Sequence, residues 1–167
     1  MQLWTLTSKL LLAIQDNDLE AAEDLLRQGS VDADTRFSMG HGSQVPAICL
    51  CVERGLYQMA KLLIDYGCSV NQVDDSGYTA LHFSVSHQFL DLVKLLIANR
   101  ANVNAVSNYG QTALHLACQQ SSVGESVCVA CLLIDGSCTD TASCDSWLPL
   151  LRLLVGQLRV ILMQVIG

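Results

Sequence analysis

The chain has 167 residues, 51% apolar but only 5% aromatic. That balance suits one domain with a core of Leu, Ile, Val and Ala on closely packed helices rather than around a few large rings. The formal net charge is −7 and no run of Lys or Arg occurs, which argues against a nucleic-acid partner.

From the N-terminus, Met1 to Thr7 carries no basic residue, and the apolar run Leu10–Ile14 is bracketed by Lys9 and Asp16. It is too short and poorly flanked for a secretory leader. The eight cysteines are therefore read as free, mostly buried thiols of a reducing compartment, cytoplasm or nucleus, rather than as a disulfide framework. Residues 1–45 hold seven carboxylates against Lys9, Arg27 and Arg36; such an end suits a basic partner, but a solvated helix face is the simpler reading.

A first helix is expected around Ser8–Ala13 and a second over Leu19–Leu26, closing at Gly29. About five residues are inserted near Ser38-Met39-Gly40-His41-Gly42 before the pattern returns at Pro46-Ala47-Ile48-Cys49. Its second helix, Leu56 to Tyr66, ends in Gly67-Cys68-Ser69-Val70-Asn71. The next copy is the clearest. Ser76-Gly77-Tyr78 leads into Thr79-Ala80-Leu81-His82, then an apolar helix Phe89–Ile97 and the closure Ala101–Ala105. Thirty-three residues on, Tyr109-Gly110-Gln111 precedes Thr112-Ala113-Leu114-His115. A helix over Glu125–Asp135 follows three residues late, after Ser121–Gly124.

This 33-residue period, with Gly, Thr, Leu, His and Asn in register, resembles the ankyrin repeat, with Ala80 and Ala113 standing where the family has Pro. The resemblance implies an all-α solenoid of stacked helix pairs joined by β-turn loops, over residues 8–147, in units of about 8–45, 46–78, 79–111 and 112–147. Residues 148–167 read as a degenerate or truncated fifth repeat. There Leu148-Pro149-Leu150-Leu151 takes the first-helix slot and Leu158–Ile166 the second, with an unusually apolar outer face. A membrane span is not expected in that segment, because Arg152, Gln157, Arg159 and Gln164 interrupt it.

Within the repeat each residue type has a structural task. Gly77 and Gly110 suit a tight turn, and Thr79 and Thr112 stand where a hydroxyl caps the first helix. By resemblance, His82 and His115 bridge neighbouring turns through both ring nitrogens, and Asn71 and Asn104 tie one turn to the next. Asparagines at that closure are hydroxylation substrates in some family members, but the structural task accounts for them. Leu81, Leu92 and Leu96 line the seam between helices, which no single repeat can bury alone.

Cys128, Cys131, Cys138 and Cys144 have a spacing that could be taken for a zinc site. However, Cys128 and Cys131 occupy slots held by Leu92 and Leu95, so packing explains them and no metal is expected. No nucleophile motif, phosphate-binding glycine loop or paired catalytic carboxylate occurs, so no catalysis, cofactor or small-molecule substrate is expected. The resemblance instead implies a scaffold or adaptor for a protein or peptide, held on turn tips and the exposed ends of the first helices. Carried over by position, that surface comprises Glu53, Arg54, Val73, Asp75, Ser76, Tyr78, Ser86, His87, Val106, Asn108, Tyr109, Gln111, Gln119, Gln120 and Trp147. Tyr78, Tyr109 and Trp147 fall in three successive turns, where folding does not need aromatics and interfaces use them as anchors. Alternatives are a structural segment of a longer array, a ubiquitin-ligase adaptor module lacking its recruiting box, and, remotely, a cysteine-based metal or redox responder.

Overall fold

A computed structural model of the chain describes residues 2–39 and 42–119. Expectations for Gln120, Trp147, the helix over 125–135, the four cysteines from Cys128 to Cys144 and the fifth repeat lie outside them. The described elements run α1 (Gln2–Asp16), α2 (Leu19–Arg27), β1 (Arg36–Met39), β2 (Ser43–Pro46), α3 (Ala47–Glu53), α4 (Tyr57–Asp65), α5 (Ala80–Ser86), α6 (Leu90–Ala98) and α7 (Ala113–Gln119). First helices α3, α5 and α7 stack in one row, and second helices α2, α4 and α6 in another.

The backbone repeats as faithfully as the sequence. After each first helix the chain turns through a left-handed residue, Asn17 (φ 55°), Gly55 (φ 72°) or Gln88 (φ 59°). The next N–H then bonds back to the helix: Asp18 to Ala13, Leu56 to Cys51 and Phe89 to Ser84, all at 2.8–2.9 Å. This five-residue closure satisfies carbonyls that a helix end would otherwise leave open. At the start of α2, the Asp18 carboxylate accepts from the Ala21 N–H at 3.1 Å, the one side-chain cap among the described second helices.

The first helices are short because they are sandwiched. In α3 every residue from Ala47 to Val52 is buried, leaving Glu53 at the exposed end. In α5 the buried set is Ala80, Leu81, His82, Ser84 and Val85. The second helices bury one stripe only: Met59, Ala60 and Leu63 in α4, and Leu92, Val93 and Leu96 at the same positions in α6. Fully burying a side chain of this size stabilises by about 1.5–3 kcal/mol, so the seam between repeats dominates cohesion.

The insertion before the second repeat is a β-hairpin, a departure from purely helical repeats. β1 and β2 pair antiparallel, with Phe37 opposite Val45 and Arg36 opposite Pro46. Phe37 is buried, which anchors the hairpin to the stack. Only four of the five extra residues belong to it. The fifth lies in the preceding loop, where Val31 and Ala33 take the buried places of Cys68 and Val70 one residue out of step.

Candidate partner-binding surface

The turns at 73–79 and 106–112 are built alike. Asp74 N–H bonds to the Tyr78 carbonyl (3.0 Å) and Gly77 N–H to the Asp74 carbonyl (3.0 Å); Ser107 and Gly110 repeat both bonds at 2.9 Å. Inside each loop a short side chain accepts two backbone N–H groups. Asp74 Oδ1 takes those of Ser76 (3.0 Å) and Tyr78 (2.8 Å), and Ser107 Oγ takes those of Tyr109 and Gln111 (both 3.3 Å). Such local bonds replace the ladder a strand would offer.

The turns are also tied to one another. Asn108 donates its backbone N–H to the Ser76 carbonyl (3.0 Å) and its side-chain amide to the Asp75 carbonyl (2.9 Å). Gly77 (φ 77°) makes this approach possible, since a Cβ there would lie 2.8 Å from Asn108 N and 2.7 Å from its Oδ1. The Tyr78 hydroxyl donates to Gln111 Oε1 at 2.8 Å. On the other side, Arg36 of the hairpin donates to the Val73 carbonyl (2.7 Å), and Gln44 N–H donates to Asp75 Oδ2 (2.7 Å).

His82, 1% exposed, is the buried pin of this assembly. Its Nδ1 receives the Thr79 N–H at 3.1 Å and lies 2.9 Å from the Thr79 hydroxyl. Thr79 and His82 thus close a capping box at the start of α5. Because Nδ1 accepts, the ring proton sits on Nε2, which donates to the Gln111 carbonyl of the next turn at 3.1 Å. Burial holds the imidazole below its ordinary pKa, opposed by backbone carbonyls and Asp74. Thr112 and His115 repeat the inner half: Thr112 N–H to Nδ1 at 3.2 Å, with the His115 N–H reaching Thr112 Oγ1 at 3.4 Å. In the second repeat Cys49 holds the histidine's place and points its Sγ at the Gln72 carbonyl, 3.8 Å away.

Asn71 Oδ1 accepts the Asn102 N–H (2.7 Å) while its amide donates to the Arg100 carbonyl (3.2 Å). The same task in the first repeat falls to Asp34, whose Oδ1 accepts the Ser69 N–H at 2.7 Å and the Gln72 side-chain amide. The sequence pattern hides this residue because the extra loop residue shifts it by one. Asn104 donates its own N–H to Asn102 Oδ1 (3.1 Å).

Two groups emerge among the residues expected to meet a partner. Asp75, Ser76, Tyr78, Asn108 and Gln111 are occupied in bonds between turns. Tyr78 in particular is half-buried, its ring 5.4 Å from His82, 6.0 Å from Phe83 and 6.0 Å from Tyr109. Tyr109, by contrast, is 71% exposed at a tip, where its ring meets that of Tyr78, with Val106 (58%) and Val73 (41%) on these two turns. Glu53, Arg54, Ser86, His87 and Gln119 lie exposed at the ends of the first helices. His87 stacks on Phe89 at 5.6 Å and 11°, with Nδ1 3.0 Å from the Phe83 carbonyl, so the ring is held at a fixed angle toward solvent.

Cys49, Cys51 and Cys68 are buried and free. Burial pushes all three thiols up, Cys51 to about 12. Among the described residues no three His, Cys, Asp or Glu side chains gather as a metal site, and no helix is long and apolar enough to cross a membrane.

Comparison with known proteins completes the picture. Residues 10–107 and 48–142 match the family described as ankyrin repeats (3 copies). The chain belongs to the ankyrin-repeat family. Ankyrin repeats generally mediate protein–protein interaction. The chain is 33% identical over 78 residues to protein phosphatase 1 regulatory subunit 27 of Mus musculus, a match covering 47% of this chain and 48% of that one. It thus spans about half the length of that curated relative. Among solved structures it is similar to the ankyrin repeat domain of Bcl-3, a protein described as a unique member of the IkappaB family. The TM-score is 0.59 at 27% identity, over 64% of this chain and 45% of that chain.

Proposed function

We propose that this chain is a non-catalytic adaptor that holds a protein or peptide segment across its turn tips and first-helix ends. The observation that carries this reading is Tyr109, a large aromatic 71% exposed on a turn whose backbone is fixed by bonds to the turn before it. A ring held this way loses little freedom on binding, which is what makes aromatic anchors effective. His87, braced by Phe89, extends the same surface toward the helix ends. Kinship with a phosphatase regulatory subunit, an accessory chain by its name, fits a role without chemistry of its own. Free, buried thiols support a reducing compartment, cytoplasm or nucleus.

The test is retention of cellular proteins on the immobilised chain, quantified by mass spectrometry. Wild type is compared with Tyr109→Ala/His87→Ala and with Lys61→Ala on the exposed side of α4. A set retained by wild type and Lys61→Ala should drop about 30-fold in affinity with the double variant, the size of one interface hot spot. Retention that ignores the double variant refutes the proposed surface.

A further inference from the structure

The N-terminal end of the stack carries a second feature, separate from the turn surface. A groove between α1 and α2 is lined by Leu12, Ala13, Ala21 and Leu25, with Lys9, Asp16, Asp18 and Asp24 around it. The repeat register shows what such positions do elsewhere. Ala21 corresponds to Met59 and Leu92, and Leu25 to Leu63 and Leu96, all at most 2% exposed in the row of second helices, while Leu12 corresponds to Leu50 (2%) and to Phe83 and Leu116, which are partly buried. Leu12 is instead 55% exposed, and Ala21 and Leu25 are only half-buried. The apolar floor of an inter-repeat seam is therefore present with nothing on it among the described residues.

The rim differs from the interior seam in one direction. Asp18 and Asp24 stand where the second repeat has Leu56 and Leu62, and Asp16 stands in place of Arg54. Lys9, two helical turns before Asp16, replaces Ala47. All four charged residues are exposed. Another ordinary repeat, with leucine at those margins, would bury carboxylates without partners, which is costly. A helix with an apolar stripe and cations beside it would pair them.

We propose that this groove docks a basic amphipathic helix of a partner protein, laid on α1 and α2 as α2 lies on α4 and α4 on α6. Leu12 and Leu25 receive the apolar stripe, and Asp16, Asp18 and Asp24 face its Lys or Arg residues. Asp18 already caps α2 through one carboxylate oxygen, so Asp16 and Asp24 are the charges to vary.

The probe is a labelled helical peptide of about 18 residues, roughly five turns, with leucine on one face and lysine elsewhere, beside a twin with glutamate for lysine. Fluorescence anisotropy with the full chain should show the lysine peptide binding about tenfold tighter than its twin. Leu12→Glu should weaken it by about tenfold, and Asp16→Lys/Asp24→Lys should invert the preference between the peptides. Tyr109→Ala should leave all of this unchanged, which separates the groove from the turn surface. Circular dichroism melts establish that both groove variants fold. Three results overturn the proposal: equal binding of the two peptides, binding indifferent to both groove variants, or self-association in sedimentation that Leu12→Glu abolishes, which would make a second copy the occupant.

Discussion

Replacing His82 by glutamine tests the buried pin and its protonation state together. The imidazole accepts the Thr79 N–H at one nitrogen and donates to the Gln111 carbonyl at the other, at 3.1 Å each. A glutamine amide reaches one of these groups from this position, leaving the other buried without a partner. The cost is about 2 kcal/mol at neutral pH. The pH dependence follows from burial, which lowers the folded-state pKa below the ordinary 6.5. Above 6.5 neither folded nor unfolded chain is protonated at this ring, and its contribution is complete. Below 6.5 the unfolded chain binds the proton and the folded chain does not, so stability falls with pH until the folded pKa is reached, at up to about 1.4 kcal/mol per unit. His82→Gln lacks this loss. Urea unfolding at pH 7.5, 6.5 and 5.5 should therefore show a gap between wild type and variant of about 2 kcal/mol at pH 7.5 that narrows as the pH falls. A gap that stays constant across the series would refute a folded-state pKa held down by burial.

Other substitutions separate space from backbone strain. Gly77 and Gly110 share a left-handed φ (77° and 73°), but among the described residues Gly77 has Asn108 against it and Gly110 has no such neighbour. Gly110→Ala should cost about 1 kcal/mol and Gly77→Ala about twice that in urea unfolding. Asn71→Ala removes both bonds to the following closure and should lower stability by about 2 kcal/mol, with exchange of the Asn102 amide accelerated in hydrogen-exchange measurements. Cys49, Cys51 and Cys68 should resist alkylation in the native chain at pH 8 and label fully in urea, as peptide mapping would read out.

The repeat was readable in the sequence because its key residues act at fixed spacings, within one turn or about one repeat apart. Thr79 with His82, and Asn71 with the N–H of Asn102, each need a fixed spacing, and that spacing is visible as a period. Asp34 was not readable, because one extra loop residue moves it out of step although it makes the same bond. The hairpin was seen only as an insertion: Arg36–Met39 and Ser43–Pro46 carry no strong alternation, and the anchoring by Phe37, Arg36 and Gln44 is tertiary. The tyrosines show the limit for site residues. Tyr78 and Tyr109 are near neighbours with rings 6.0 Å apart, yet the hydroxyl of one is bonded to the next turn while the other is 71% exposed. That division depends on where Gln111 and His82 point, which spacing alone does not reveal.

The ties between repeats have a mechanical meaning. Those from Asp34, Arg36, Gln44, Asn71, Tyr78, His82 and Asn108 all span between 29 and 38 residues, one unit of chain. Each link thus holds only its two adjacent units, as in a row of coupled carriages. Breaking the joint at His82 and Asn108 would leave an intact rod on the N-terminal side, and tension applied to the ends would meet these joints one after another rather than all at once.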